Sequence, residues 1–344
     1  MGHKGSIRVR LYKIQSKFYG LTCLRQFFAI LFLAMSLLTS QSFAQNETGP
    51  LEQTEEEPEE TAAQAFERLF IDSNVVISNW FDSVAEGIDL FFVNKKITDE
   101  PSKINARLIN GSYIKEGEGY INRTALSVSP RFHNLEKYWN LKFSTYDELE
   151  DGRGVRRGFL RQTPREQNYG ATVGLFRRLG AVRVAFQPRI ELQDPLQVSH
   201  SLGFESVWDF QTFKANPKLE FYASASKGPG TFHSMNFNFY LSDIYSLTWI
   251  NEGDYEANAH KYSVTTGLTL GQQLSETTSM SYSLLTYADN RDNYHLNGYN
   301  LSLSWYQLIY NKILDYQIIP HLDFRQDDEF RGRAGLTFQF TVYF

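Results

Sequence analysis

The sequence predicts an all-β fold: a transmembrane, antiparallel, up-and-down β-barrel of about 14 strands with a short helical segment ahead of it. Three observations predict it. From residue 104 onward apolar residues recur at every second position, the period of a strand whose two faces meet unlike media. The first 44 residues have the layout of an export signal. The chain ends on "GLTFQFTVYF", where Leu336, Phe338, Phe340, Val342 and Phe344 alternate with Gly335, Thr337, Gln339, Thr341 and Tyr343. In water such an ending is an open, greasy strand edge; in a closed barrel it has a partner.

Composition is compatible with this. A mean hydropathy of -0.39 suits strands that are only half apolar, so it does not exclude a membrane wall. Aromatic residues make up 15% of the chain, as expected for belts at two membrane interfaces.

Residues 1–44 carry Lys4, Arg8, Arg10, Lys13, Lys17 and Arg25, then the apolar run "FFAILFLAMSLL" over 27–38. Ser42 and Ala44 are the small residues of a cleavage site before Gln45. The run is short for a transmembrane helix. The one cysteine, Cys23, precedes it, which argues against a lipid-modified cysteine and leaves no disulfide or thiol chemistry after cleavage. The net charge of -5 becomes more negative on cleavage, because the signal holds basic residues and no acidic ones. That balance disfavours nucleic acid as a partner.

Residues 45–61, acidic and without an apolar period, read as a disordered leader. Over 62–103 the period changes to three and four: Ile77, Trp80, Phe81, Val84, Ile88 and Phe91 make the stripe of an amphipathic helix, with Ser78 or Asn79 as its cap and 94–103 as a linker. The expected position is periplasmic, and the stripe suits a plug or a docking helix.

Strands are expected near 104–114, 119–129, 138–146, 168–178, 181–192, 198–210, 217–226, 230–240, 244–251, 259–273, 277–287, 294–309, 313–324 and 332–344. Most match the ~9–11 residues that cross a membrane at a steep tilt. With the N-terminus in the periplasm, every second connection must be a short turn. Those at 130–137, 179–180, 211–216, 241–243, 274–276 and 310–312 are brief, while the other set holds the longest, 147–167. An even count brings the last strand back beside the first and closes the sheet. The competing fold is a secreted soluble β-sandwich, which has no rule about alternate connections.

The export signal, the strand and turn rhythm and the ending "FQFTVYF" resemble those of Gram-negative outer-membrane β-barrels over residues 104–344. In that class an aromatic last strand with a terminal Phe is the signal read by the barrel-assembly machinery; Phe338, Phe340, Val342 and Phe344 fill those positions. The segment "NWFDSVAEGIDLFF" and the last two strands are similar to uncharacterised proteobacterial outer-membrane proteins. The resemblance implies a place in the cell outer membrane, among outer-membrane lipid and lipopolysaccharide.

If the apolar parity faces lipid, the lumen receives Arg107, Arg123, Lys142, Arg178, Arg183 and Arg189 from the first five strands, with Glu191. Later strands add Glu205, Asp209, Glu220, Asp315 and Asp323, with Lys218, Lys261 and Arg333. Two readings fit: a transverse field across a water-filled pore, or charges that pair across a narrow lumen. Connection 147–167 holds Arg153, Arg156, Arg157, Arg161 and Arg165 among acids. Mixed charge favours a solvated surface loop over an inward constriction or a lipopolysaccharide-phosphate site.

Catalytic signs are weak. His233 and Ser234 are neighbours in a strand and so face opposite ways. His321 and Asp323 share a face without an evident serine, and no metal-binding spacing or phosphate loop occurs. No cofactor is expected. Tyr120, Trp139, Trp208, Phe210, Trp249, Tyr262, Tyr287, Trp305 and Tyr343 are expected as interface belts. The leading expectation is a non-enzymatic, porin-like channel for small polar or charged solutes, with its N-terminal helix as a gate. A structural or assembly barrel that recruits a periplasmic partner through that helix is the alternative, and a lipid-modifying enzyme is a third.

Overall fold

The computed structural model describes residues 61–93, 103–131, 139–225, 227–291, 293–310 and 313–344, with side chains undescribed at 62–63, 80–93, 103 and 131. The export signal, the leader up to residue 60 and the linker over 94–102 lie outside them. The chain divides into two compact units, Met1–Leu69 and Phe70–Phe344.

Helix α1 runs over Ala62–Val93, so it begins well before Ser78 and Asn79, the caps read from the sequence. The cap is Thr61. Its hydroxyl accepts the Gln64 amide at 3.3 Å, and its own amide donates to Gln64 Oε1 at 2.9 Å. This reciprocal pair satisfies two donors that a helix start leaves open. The Thr-x-x-Gln spacing was present in the sequence, but its apolar stripe begins later. Within the second unit, Phe70 lies 5.6 Å from Tyr310 ring to ring, and buried Asn74 donates to the Tyr343 carbonyl at 2.6 Å. Ile77 is exposed; Trp80, Phe81, Val84, Ile88 and Phe91 fall outside the described side chains.

The second unit is a closed antiparallel barrel of 14 strands. In chain order they are β1 (Lys103–Lys115), β2 (Glu118–Arg131), β3 (Trp139–Ser144), β4 (Gly170–Leu179), β5 (Val182–Glu191) and β6 (Gln197–Ser206). After these come β7 (Phe213–Ser224), β8 (Gly228–Tyr240), β9 (Tyr245–Glu256) and β10 (Lys261–Gln273). The last are β11 (Thr278–Asp289), β12 (His295–Ile309), β13 (Leu314–Arg325) and β14 (Gly332–Tyr343). Trp208–Asp209 continues β6 beyond Val207 and pairs with the same partner, β7. The ladder skips Ser206 and Val207, which fall opposite Pro217 and Asn216, and Pro217 has no amide hydrogen to donate.

The seam joins β14 to β1, from Arg107 opposite Tyr343 to Lys115 opposite Gly335. Phe344 completes it by exchanging backbone hydrogen bonds with Ala106, at 2.8 and 3.3 Å, and packs with Ile104, Ala106 and Val128. The greasy ending therefore leaves no open edge.

Two boundaries differ from the sequence expectation. β7 begins at Phe213 rather than 217, because a proline is tolerated inside this strand. β9 runs on to Glu256 rather than stopping at 251, and its acidic residues continue the alternation.

Register places residues opposite one another on one face. The parity of Leu336, Phe338, Phe340 and Val342 continues through Leu314, Ile318 and Leu322 on β13 and Leu301, Leu303 and Trp305 on β12. On this outer face Leu247, Leu268, Leu270, Leu284, Leu301 and Leu322 line a shallow hollow of about 720 Å³. The opposite parity holds Arg107, Thr337, Gln339, Thr341, Asp315 and Asp323, and it faces the interior. The four described tryptophans, Trp139, Trp208, Trp249 and Trp305, all lie on the outer parity. They cluster toward the mouth that carries the ends of β1 and β14, the terminal mouth. Tyr287 and Tyr343, expected in the belts, face inward instead. Arg156 covers the Tyr287 ring at 4.3 Å, and the Tyr343 hydroxyl donates to Asp315 at 2.6 Å.

Candidate pore constriction

The connection between β3 and β4, residues 145–169, enters the barrel and crosses it. The sequence expectation of a solvated surface loop is therefore corrected. The reason is chemical complementarity: the two ends of the loop match the two walls.

The first end is acidic and meets the basic wall of β1–β5. Helix α2 (Glu148–Asp151) starts under an Asp147 cap that accepts the amides of Leu149 and Glu150 at 2.9 and 3.2 Å. The Glu148 carboxylate takes Arg107 and Lys142, each at 3.2 Å, and accepts the Ser127 hydroxyl. Burial pushes this carboxyl up, but Lys142, the Ser127 hydroxyl and Arg107 outweigh it and hold the group below the ordinary glutamate range. Arg189 is fully buried beside them. It donates to Ser144 at 3.0 Å and to the Asn168 carbonyl at 2.8 Å, with Glu191 and Asp147 at 4.0 Å.

Past α2 the loop turns basic and meets the acidic wall of β7–β9. Arg153, nearly fully buried, donates to Glu220 at 2.8 Å while its guanidinium lies 3.8 Å from the Tyr222 ring centre. Lys218 bonds both Glu220, at 3.2 Å, and the Gly152 carbonyl, at 2.6 Å. Glu252 accepts the Val155 amide at 2.9 Å. Arg157 reaches Glu150 and Asp254, each at 3.3 Å, and Glu256 at 3.4 Å. Glu150 is also paired with Lys227. Burial raises its carboxyl, and Arg157 and Lys227 more than reverse that, so it too sits low.

Gly154 makes this approach possible. Its φ is +90°, and a Cβ there would fall 2.6 Å from Glu252 Oε2. A side-chain-bearing residue would be strained in the backbone and would strike the carboxylate.

Apolar residues finish the seat. Val155 and Leu160 bury against Ile250 and Leu285, two inward-facing wall residues, with Tyr287 beside them. Tyr146 packs on Ile109 and Ala125. The returning arm meets β12 and β14: Gln162 exchanges amide hydrogen bonds with Asn300 at 2.9 and 3.0 Å, and Thr337 donates to the Gln162 carbonyl. Arg165 reaches Gln339 at 3.2 Å and Asp151 at 2.7 Å, and Arg161 also pairs with Asp151.

The other charges read from the sequence are distributed as follows. Asp323 joins Lys115 at 3.1 Å and Asn300 at 2.7 Å. Arg183 pairs with Glu205 at 2.6 Å and lies 4.6 Å from the Phe176 ring centre, and Asp209 pairs with Lys214 at 3.3 Å, both near the terminal mouth. Arg178, opposite Arg183 on the same face, and Arg123, opposite Gly111, are exposed. Arg333 pairs with Asp328 and Lys261 with Asp289 at 3.8 Å. Sequence reasoning missed Glu252, Asp254 and Lys115. The first two were hidden by reading 251–258 as a connection, although Ile250, Glu252, Asp254 and Glu256 fall on one parity.

No catalytic set comes together among the described residues. His233 faces outward and stacks on Tyr262, while Ser234 faces in. His321 stacks on Tyr113 at 5.8 Å with Asp323 at 4.0 Å; Ser302 lies opposite it across the ladder, with no hydrogen bond between them. No group of three or more His, Cys, Asp or Glu is placed to hold a metal ion among the described residues.

Between the loop and the wall of β10–β13 a cavity of about 470 Å³ stays open toward the far mouth. Its charged lining includes Arg156, Arg325, Arg291, Lys261, Asp289 and Asp327.

No protein-family model matches the sequence, and no curated protein matches it. Solved structures do. OmpT, an outer membrane protein of Vibrio cholerae, is 6% identical, with 72% of this chain and 99% of that chain covered and a TM-score of 0.44. The outer membrane channel DcaP of Acinetobacter baumannii is 8% identical, with coverage of 71% and 97% and a TM-score of 0.44. OmpF of Salmonella typhi, in complex with daunomycin, is 5% identical, with coverage of 71% and 98% and a TM-score of 0.45. These structural neighbours are outer-membrane β-barrel proteins, and this chain is itself a closed barrel.

Proposed function

We propose that this barrel sits in an outer membrane and passes small polar or charged solutes through a lumen narrowed by residues 145–169. The supporting observation is the loop itself. It spans the interior on ion pairs to both walls, yet the cavity beside it stays open. A polar interior inside an apolar outer face is what a water-filled passage through lipid requires. Wall charges are joined through the loop, so the passage is constricted and its remaining free charges set what crosses. Planar-bilayer recording of the purified full chain tests this: discrete conductance is expected, and a folded but silent barrel refutes it.

The silent outcome would favour the second reading, a structural or assembly barrel. The buried Arg153–Glu220 pair and the loop's apolar seat support that reading, since both stiffen the interior. In it α1 would recruit a periplasmic partner. In the channel reading α1 is a gate at the terminal mouth, near which Asn74 holds the end of β14. Removing residues 45–103 should then raise conductance; unchanged conductance would end the gating idea. Phe338, Phe340, Val342 and Phe344 serve in either reading as the contact for the barrel-assembly machinery, with outer-membrane lipid and lipopolysaccharide as the surroundings.

A further inference from the structure

We propose that the open cavity beside the loop is an anion site, and that it makes the passage selective for small dissolved anions such as carboxylates and phosphates. The inference rests on the channel reading and adds its substrate class.

Most interior charges are matched, and the cavity is where the matching fails. Arg153, Arg157, Arg161 and Arg165 of the loop each hold a carboxylate. Arg156 holds none: its guanidinium lies over Tyr287 and is exposed to the cavity. Across the cavity Arg325, at the far end of β13, is also exposed and makes no ion pair within 4 Å among the described residues; Glu118, already held by Lys115, is the acid near enough to feel its charge. Two further cations, Arg291 and Lys261, share a single acid, Asp289, at 3.0 and 3.8 Å.

The acids facing the same space do not cancel this. Asp289 is shared between those two cations. Asp323 is bound by Lys115 and Asn300. Asp327 alone is exposed and unpaired among the described residues. An entering anion thus meets two guanidiniums with free donors, and Tyr287 supplies a flat face beneath one of them. Arginine forks suit carboxylate and phosphate oxygens. A cation entering the same space meets one free carboxylate and a net positive field.

Neither Arg156 nor Arg325 carries a hydrogen bond that holds the fold, so R156Q and R325Q should fold. The test is the reversal potential of the full chain in a planar bilayer under a KCl gradient. Wild type should prefer chloride. Each substitution should lower the chloride-to-potassium permeability ratio by about fivefold, the Boltzmann factor of one unit charge at contact distance across water. R177Q, on the outer parity of β4, should leave the ratio unchanged. A conducting wild type that prefers potassium, or a double variant with the wild-type ratio, overturns the anion site while leaving the channel intact.

Absence of any conductance refutes the channel instead. Titration calorimetry of inorganic phosphate into the detergent-folded chain then decides the site alone. Binding that the double variant abolishes upholds it, and no binding, or binding that survives in the double variant, removes it.

Discussion

Arg153 is the loop's most deeply buried ion-paired cation among the described residues. Its charge is buried against Glu220, and removing one partner leaves the other uncompensated, at a cost of about 3–5 kcal/mol. Glu220→Ala should therefore undock residues 145–169, and a Glu-specific protease should cut at Glu148 or Glu150 in the variant but not in wild type. Equal resistance in both would show that the pair does not hold the loop. Acid should have the same effect. Glu148 and Glu150 have carboxyls held low in the docked state, so their contribution is complete above the ordinary glutamate range and is lost as pH falls through their lowered values. Docking, read by protease resistance, should persist from neutral pH down through that range and fail only on its acid side. At this scale strand parity made much of the site legible: Arg107, Lys142, Arg189 and Glu220 could be assigned to one face from alternation alone. Their partners could not, because Glu148 and Arg153 lie in a segment without period, and pairing across some 70 residues leaves no local signal.

Among the elements, the strands were the most legible and the connection between β3 and β4 the least. Alternation places a strand because each face meets one medium along its whole length. A loop that folds inward does so because of what faces it, which is known only once the barrel has closed. Its mixed charge looked like ordinary surface, and its seat, Ile250 and Leu285, looked like ordinary strand positions. Helix α1 shows a milder form of this: the three- and four-residue period pointed to a helix within 62–103 but not to the Thr61 and Gln64 cap that starts it. The strand assignment has a direct test on β11. Leu284→Arg puts a charge on the outer face and should cost about 2–4 kcal/mol near the bilayer midplane. Ser281→Arg, on the inner parity of the same strand, should cost far less. Urea unfolding in lipid vesicles measures both, and equal losses would contradict the assignment. Deleting Phe344 should lower the yield of folded barrel, since that residue closes the seam and, in the proposed reading, ends the assembly signal; undiminished yield would remove it from that role.

For the whole molecule, a cylinder with an apolar outside and a charged inside explains features that are odd in isolation: a soluble-looking mean hydropathy, a greasy C-terminus and a charged loop that turns inward. In the proposed membrane setting lipid selects the outer face and water the inner one, and the loop answers the charges the inner face leaves unmatched. In the proposed channel, what passes is then decided by the part of the lumen that the loop does not fill. Single-channel conductance, compared between the full chain and one lacking residues 147–167 in the same bilayer, tests this most directly. Both should conduct, the shortened chain several-fold more; silence from both folded proteins, or identical conductance, would contradict a passage constricted by that loop.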